Sequence, residues 1–514
     1  MASYLMGIDN GLTVSKAAIF DLTGREIAVQ GHKVELSYPR AAWVERDSEI
    51  VWQTTAQAIR GAIERSGIDP RDIVGVGNAA HGNGLYLVDK AGQPLGPSVT
   101  SMDNRANDII EEWGRPRTGG AASVQDVGFP IVMINIYAAQ PAALLTWFKR
   151  HRPEIWRRIG HAFTCKDYIK FRLTGTATTD YSDASGTSLF DNRNRRYSTD
   201  MLALYGISDI LPALPPPVES HAVAGRVTQE AAAATGLLAG TPVVGGMFDI
   251  DASAFGAGVI EQEMLCIIAG TWSINEVVLP QPLIDRRLAM CTLFTVPSLW
   301  LIAECSATSA TNLEWFVTQF CHEEALQAQA RGVSIYEICN EIVASLPPGS
   351  TDVIFHPFLF GSNVQANARA GFYGLGAWHT KAHLLRALYE GVVYGHLDHV
   401  NRLKSAGATM RVARITGGGA RSHVWTQMFA DALELPVETT AATETAALGA
   451  ALAAGIGSGV YASHAAAVQQ AVQVGRRHEP DGEATPKYLA RYREYVTLLE
   501  AMREPWHRLA KLGE

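Results

Sequence analysis

Cysteine is scarce in this sequence and positive charge is never concentrated. Six cysteines (Cys165, Cys266, Cys291, Cys305, Cys321 and Cys339) are scattered through 514 residues, none closer than fourteen positions to the next. That spacing excludes CxxC and zinc-ribbon patterns, and at this chain length it argues for buried, reduced thiols instead of a disulfide framework. Lys and Arg total 43 against 51 Asp and Glu, a net charge of −8 with no long run of either sign. A dedicated nucleic-acid binder or a polybasic membrane anchor needs positive charge in one place, so both classes are excluded. The opening MASYLMGIDNG has no basic segment followed by an apolar one, so no secretory signal is read and a cytoplasmic location is expected. Standard nucleotide and metal signatures are missing too: there is no GxxxxGK[ST], no GxGxxG between a strand and a helix with a later acid, and no HExxH. The one long stretch without charge, Thr445 to Gly475, spans 31 residues. It is dominated by alanine and interrupted by His464, Gln469, Gln470 and several glycines, far less apolar than a membrane span requires. It reads as a buried helix, a glycine turn and a second helix.

What is present describes an ordinary globular protein, 47% apolar and 18% charged, too long for a single core. The chain opens with β-patterned runs at Tyr4–Asp9, Val14–Asp21 and Glu26–Leu36 separated by tight turns, an antiparallel meander. Ser48 is placed to cap a helix with Trp52, Ala56, Ile59 and Ile63 on one face, stopping at Gly67. A strand from Ile73 follows. A second strand-turn-strand begins near Met264, about 260 residues after the first and so about half the chain away. Each opening turn is small and carries a hydroxyl, which suggests a duplicated architecture with one phosphate-sized turn in each half. The boundary is expected at residues 253/254.

Three glycine turns lie beside groups able to do chemistry. In Asp9-Asn10-Gly11-Leu12-Thr13, followed by Lys16, glycine lets backbone N–H groups approach an anion, and a carboxylate at a strand end suits a hydrated Mg²⁺. A plain Asn-Gly hairpin explains the same residues. In Gly245-Gly246-Met247-Phe248-Asp249-Ile250-Asp251 an apolar strand delivers two acids ahead of a small-residue helix expected from Ala252 to Gly258, which either acid could simply cap. The third, Thr416-Gly417-Gly418-Gly419-Ala420, joins a strand to a helix from about His423 and permits close contact with a nucleotide, or merely tight packing.

In this order the motifs resemble the FGGY carbohydrate kinases, members of the actin, hexokinase and heat-shock-ATPase superfamily. Further matches are Trp43-Val44-Glu45-Arg46-Asp47, Asp103-Asn104-Arg105, Thr179 to Thr187, Gly270-Thr271-Trp272, and Ala370 to Leu375 leading to Tyr389-Glu390. Gly246-Met247-Phe248-Asp249, Asn312 to Phe316, Pro357 to Asn363 and Leu144 follow the wording of one subgroup, the L-xylulose kinases. Two departures stand out. His81 occupies the place of a usual Gln, and Ile250 that of an amide found in glycerol and D-xylulose kinases, which argues against glycerol as substrate.

The resemblance implies an α/β fold of two duplicated actin-like, ribonuclease H-like lobes with an interlobe cleft, and an ATP- and Mg²⁺-dependent kinase acting on a small sugar. It implies Asp249 as general base and Asp9, with Asp249, at the metal. Thr13, Lys16, Gly270, Thr271, Asn363, Gly418, Gly419 and Ala420 are implied at the nucleotide, and Trp43, Glu45, His81, Asn83 and Asp103 at the sugar. A 2-ketopentose such as L-xylulose is the expected substrate. A polyol such as erythritol, an autoinducer, or sugar and ATP binding without catalysis are the competing readings. Neither nucleic acid nor membrane is expected as a partner, and a homodimer is compatible with the sequence.

Overall fold

In the computed structural model, which describes residues 3–512, the chain forms two compact α/β units. The first runs up to Ile260 and regains Val278–Ile302 and Glu444–Gln473 from later in the chain. The second comprises Glu261–Val277, Ala303–Thr443 and the residues from Val474 onward.

In the first unit, strands Tyr4–Asn10, Val14–Asp21 and Glu26–Lys33 make the antiparallel meander expected from their turns. The opening strand also pairs in parallel with Ile73–Ala80, which pairs in parallel with Pro242–Val244, which is flanked antiparallel by Val223–Arg226. In the second unit, Ser273–Leu279 lies antiparallel to Glu263–Ala269, which is parallel to Met410–Thr416. Val437–Thr440 continues in parallel and Val474–His478 closes antiparallel. Both sheets thus repeat the same succession of antiparallel, parallel, parallel and antiparallel neighbours. This is the duplicated actin-like, ribonuclease H-like α/β fold implied by the sequence.

Some local expectations shift. The helix Ser48–Ser66 is capped by Asp47, not Ser48: the Asp47 carboxylate accepts from the Glu49 and Ile50 amides at 2.8 and 3.0 Å. Ser48 is turned inward, its hydroxyl 2.5 Å from that of Ser98. The helix expected from Ala252 begins at Asp249 and ends at Gly256, because the first turn of a helix accommodates acids well. A long helix in the second unit runs from Lys381 to Ser405.

The charge-free stretch forms helix Thr445–Gly457, a turn, and helix His464–Ala471. Among the described residues no helix is long and apolar enough to cross a membrane. The alanine-rich helix instead lies directly on the first sheet. A Cβ placed on Gly7 would come within 1.8 Å of the Ala447 carbonyl oxygen, and one on Gly77 within 1.9 Å of that of Ala450. The same helix packs on Asp249–Gly256 through Gly449 and Gly256, where an added Cβ would stand 2.1 Å from the Ala252 oxygen or 1.9 Å from the Thr445 oxygen. All six thiols are free, five of them buried.

The contact with Ala450 allows a direct test. Gly77→Ala should lower the unfolding free energy by about 1–3 kcal/mol in urea titration, since the added methyl meets rigid backbone. A pH test follows from buried histidines. Burial holds His396 down to about 3 and both His356 and His464 down to about 4. The unfolded chain takes up these protons below about pH 6.5 while the folded one refuses them, so the stabilisation is complete above pH 6.5 and is lost toward pH 4. Across that window the wild-type urea midpoint should fall relative to that of His396→Gln, a difference that separates this imidazole from the buried carboxylates, which act in the opposite sense.

Candidate active site

Register in the first sheet decides which residues meet. Asn10 is opposite Ala80, and Ala80 is opposite Phe248, the last residue of the short parallel strand Met247–Phe248. The chain therefore leaves three neighbouring strand ends together, at Gly11, at His81 and at Asp249. The His81 amide donates to the Asn10 carbonyl at 3.0 Å, which locks the first two exits side by side.

Asp9 and Asp249 form the electrostatic centre of this end of the sheet. Burial pushes Asp9 up to about 6, with Lys16 opposing and Glu444 adding to the rise. Burial, and then the Asp9 charge, hold Asp249 well above the usual carboxylate range. A buried carboxylate whose proton affinity is raised further by a neighbouring carboxylate invites a proton or a cation. Lys16 reaches Glu444 at 2.8 Å, so the lysine expected at the nucleotide is held in an ion pair by the start of the alanine-rich helix. Thr13 is exposed at the tip of the turn.

A fully buried ionic cluster lies beneath the Asp249 turn. Lys166 pairs with Asp167 and, at 3.0 Å, with Asp180; Lys170 reaches Asp167 at 3.0 Å. Thr164 donates to Asp183 at 2.6 Å. The cluster grips the turn at two points: Lys170 Nζ donates to the Gly245 carbonyl at 2.8 Å, and the Phe248 amide donates to Ser182 Oγ at 3.1 Å, with that hydroxyl donating in turn to Asp180. Burial lowers Lys170 to about 8. Asp251, on the far side of the first helical turn, accepts from the Thr295 amide at 3.2 Å.

The residues expected at the sugar fall into two kinds. Asn83 is buried, adopts a left-handed backbone (φ 62°), and its side-chain oxygen has no hydrogen-bond partner among the described residues. Asp103, by contrast, accepts four bonds, from the amides of Val44 and Arg105 at 2.7 and 2.8 Å and twice from the Arg105 guanidinium at 2.9 Å. Arg105 also bonds Glu45 at 2.7 Å and lies 4.1 Å from the Trp43 ring centroid. Asp103, Glu45 and Arg105 therefore form a frame that fixes Trp43, which Trp147 meets edge-on at 5.2 Å. His81 is buried with both ring nitrogens engaged, by Arg46 and by the Gly82 carbonyl.

In the second unit the two glycine turns leave adjacent parallel strands at the same end, Ile268 lying opposite Thr416. The Gly270 carbonyl accepts from the Ala310 amide at 2.9 Å and that of Thr271 from the Thr311 hydroxyl at 3.3 Å, so the start of helix Thr311–Phe320 holds the turn while the Thr271 side chain stays exposed. Gly417 has φ 83°, and Gly419 sits against Ala269, where a Cβ would come within 2.9 Å of the alanine methyl. Gly418 is exposed and Ala420 half-buried. A cavity of about 220 Å³ opens beside this turn, lined by Thr416, Gly417, Ala420, Arg421, Thr439 and Arg476 among others. Asn363 donates to Glu304 at 2.7 Å and contacts His399 at 3.1 Å.

Sequence reasoning found the turns but missed Arg46, Lys166, Lys170 and Glu444. The charges Lys166-Asp167 within an otherwise apolar helix start were the available signal for the cluster. Nothing local marks Glu444 as the partner of a lysine 428 positions away.

Comparison with known proteins accords with this arrangement. Residues 4–256 match the N-terminal domain, and residues 265–458 the C-terminal domain, of the FGGY family of carbohydrate kinases. An L-xylulose/3-keto-L-gulonate kinase of Escherichia coli is 36% identical over 98% of both chains. An autoinducer-2 kinase of Yersinia enterocolitica is 29% identical over 97% of this chain and 96% of its own. Among solved structures, xylulose kinase from Rhodospirillum rubrum superposes with a TM-score of 0.84 at 28% identity, covering 98% of this chain and all of that one.

The grip on the Asp249 turn is testable through Lys170. Lys170→Met leaves a buried carboxylate with one cation fewer and releases the Gly245 carbonyl, so it should destabilise the protein by about 3–5 kcal/mol in denaturant titration. Lys149→Met, which breaks the exposed pair with Asp209, should cost about 1 kcal/mol or less.

Proposed function

Because the chain belongs to the FGGY family of carbohydrate kinases, we propose that it transfers the terminal phosphoryl group of ATP to a hydroxyl of a 2-ketopentose such as L-xylulose, with Asp249 as general base. The observation that carries this reading is the convergence of Asp9, His81 and Asp249 at three neighbouring strand ends, with both carboxylates raised in proton affinity. A carboxylate held above its usual range is a better proton acceptor once ionised, as the attacking hydroxyl requires.

Phosphoryl transfer needs positioning and charge neutralisation more than covalent chemistry. Asn83 offers an unpartnered buried acceptor for a sugar hydroxyl, and Trp43 offers a fixed aromatic face. Thr13, Gly270 and Thr271 supply hydroxyl and amide donors to phosphate oxygens, and the Gly418–Ala420 turn lets the adenosine side approach backbone. Lys16 is held ready by Glu444. Mg²⁺ fits the acidic pair, since a cation relieves the repulsion between Asp9 and Asp249. Among the described residues no group of three or more ligating side chains is arranged for a metal, so Asp9 would hold the ion largely through water and nucleotide oxygens. When bound, the ion neutralises charge on the polyphosphate.

The similarity to autoinducer-2 kinases favours one second reading, an autoinducer-type substrate for the same chemistry. An ADP-release screen over ketopentoses, tetritols, 3-ketoaldonates and autoinducer-type diones decides between them. Asp249→Asn should lower turnover on the preferred sugar by at least ~10²-fold while the melting temperature holds. Near wild-type turnover would remove Asp249 from the role of base, and ATP binding without ADP from any sugar would point to a non-catalytic sensor.

A further inference from the structure

Arg46 is a buried cation without a buried anion. It lies on the two-residue strand Glu45–Arg46 and is 1% exposed, yet among the described residues none of its hydrogen-bond partners is a carboxylate. A guanidinium has five N–H donors, and each finds a neutral acceptor here. Nε donates to the Tyr86 hydroxyl at 2.5 Å. Nη1 donates to the Gly11 and Leu12 carbonyls at 3.0 and 3.1 Å. Nη2 reaches His81 Nε2 at 2.5 Å and Cys165 Sγ at 3.0 Å. Burial raises both the Tyr86 hydroxyl and the Cys165 thiol above their ordinary values, so neither ionises to cancel the charge. Burying an uncompensated cation is costly, and a neutral side chain of similar length would avoid that cost.

The five bonds have directional consequences. A peptide unit is planar, with its C=O and N–H pointing oppositely. Drawing the Gly11 and Leu12 carbonyls down onto Arg46 therefore turns the following amides, Leu12 N–H and Thr13 N–H, away from it and outward from the turn. The Gly11 amide is already spent on closing the hairpin to Val14 at 3.0 Å. At His81, a guanidinium can only donate, so Nε2 must carry the lone pair and Nδ1 the proton, which it donates to the Gly82 carbonyl at 3.2 Å. Arg46 thus ties the first glycine turn to the His81–Asn83 segment through one rigid fork.

We propose that Arg46 is the positioning residue of the first phosphate turn: it aims the Leu12 and Thr13 amides, holds His81 as the neutral Nδ1–H tautomer, and supplies an uncancelled positive field where an anion binds. The last part rests on the kinase reading; the first two do not. The imidazole at position 81 then serves as an acceptor strut for Arg46, with Asn83 left to face the sugar.

Two measurements test this. The first uses wild-type protein labelled with ¹⁵N-histidine and no substrate. Long-range ¹H–¹⁵N spectra at neutral pH should show His81 as the Nδ1–H tautomer, and an Nε2–H or doubly protonated ring would overturn the proposal whether or not the protein is a kinase. The second compares Arg46→Lys with Arg46→Gln, each checked by melting temperature. Lysine keeps the charge but not the fork, so kcat should fall about 100-fold with the KM for ATP little changed. Glutamine also removes the charge, so the KM for ATP should rise at least about tenfold in addition. Wild-type kcat for the lysine variant, or an unchanged KM for the glutamine variant, would overturn the positioning or the field respectively. If neither variant folds, the wild-type tautomer still decides the geometry.

Discussion

The first unit depends on one contact surface: the backbone-to-backbone approach of helix Thr445–Gly457 to glycine positions on the sheet and on helix Asp249–Gly256. Gly7 and Gly77 let the helix axis come close enough for Ala447 and Ala450 to touch strand backbone, and Gly449 and Gly256 do the same between the two helices. Alanine serves here because it has high helix propensity and adds little bulk. The outcome is that strand Tyr4–Asn10, which carries Asp9 and leads into the first turn, and the helix that begins at Asp249 are both registered against a single third element. The spacing of the two acids is therefore set by packing that leaves almost no slack, the condition under which a 1 Å displacement matters for chemistry.

Charge follows a related logic. The chain is acidic overall, yet several of its cations are buried: Arg46 beneath the first turn, Lys166 and Lys170 beneath the Asp249 turn. The two lysines face three aspartates and act as ties to Gly245 and, through Ser182, to Phe248. Among the described residues Arg46 has only neutral hydrogen-bond partners. In the role proposed for it, Arg46 would lend the first turn anion affinity through directed amides and one shielded guanidinium, and such a field is screened little by salt.

Much of this was legible in the sequence, and the reason is local. Glycine turns at strand ends, the meander, the second strand-turn-strand and the alanine-rich stretch each carry their signal within a dozen residues. The shared order of strand directions in both units bears out the duplication that two similar turns suggested. Where reading failed, the deciding contact was remote. Ser48 and Asp47 are both good caps by composition, and only the partner Ser98, fifty positions on, draws Ser48 inward. Asp103 has the look of a free carboxylate until Arg105 and the Val44 amide fill its acceptor positions. The pairing of Lys16 with Glu444 joins opposite ends of the chain and leaves no trace in either neighbourhood.

The return of Glu444–Gln473 to the first unit bears on how the chain comes into being. During synthesis, the residues that will carry Asp9 and Asp249 emerge hundreds of positions before the helix that registers them. Until that helix appears, the sheet presents a smooth face at Gly7 and Gly77 with nothing seated on it. The nascent first half is thus a vacant scaffold, and its acids acquire their final spacing only once Glu444–Gln473 has emerged. Its maturation waits on that segment, so a product arrested before it carries every proposed sugar contact and the proposed base without the element that aligns them.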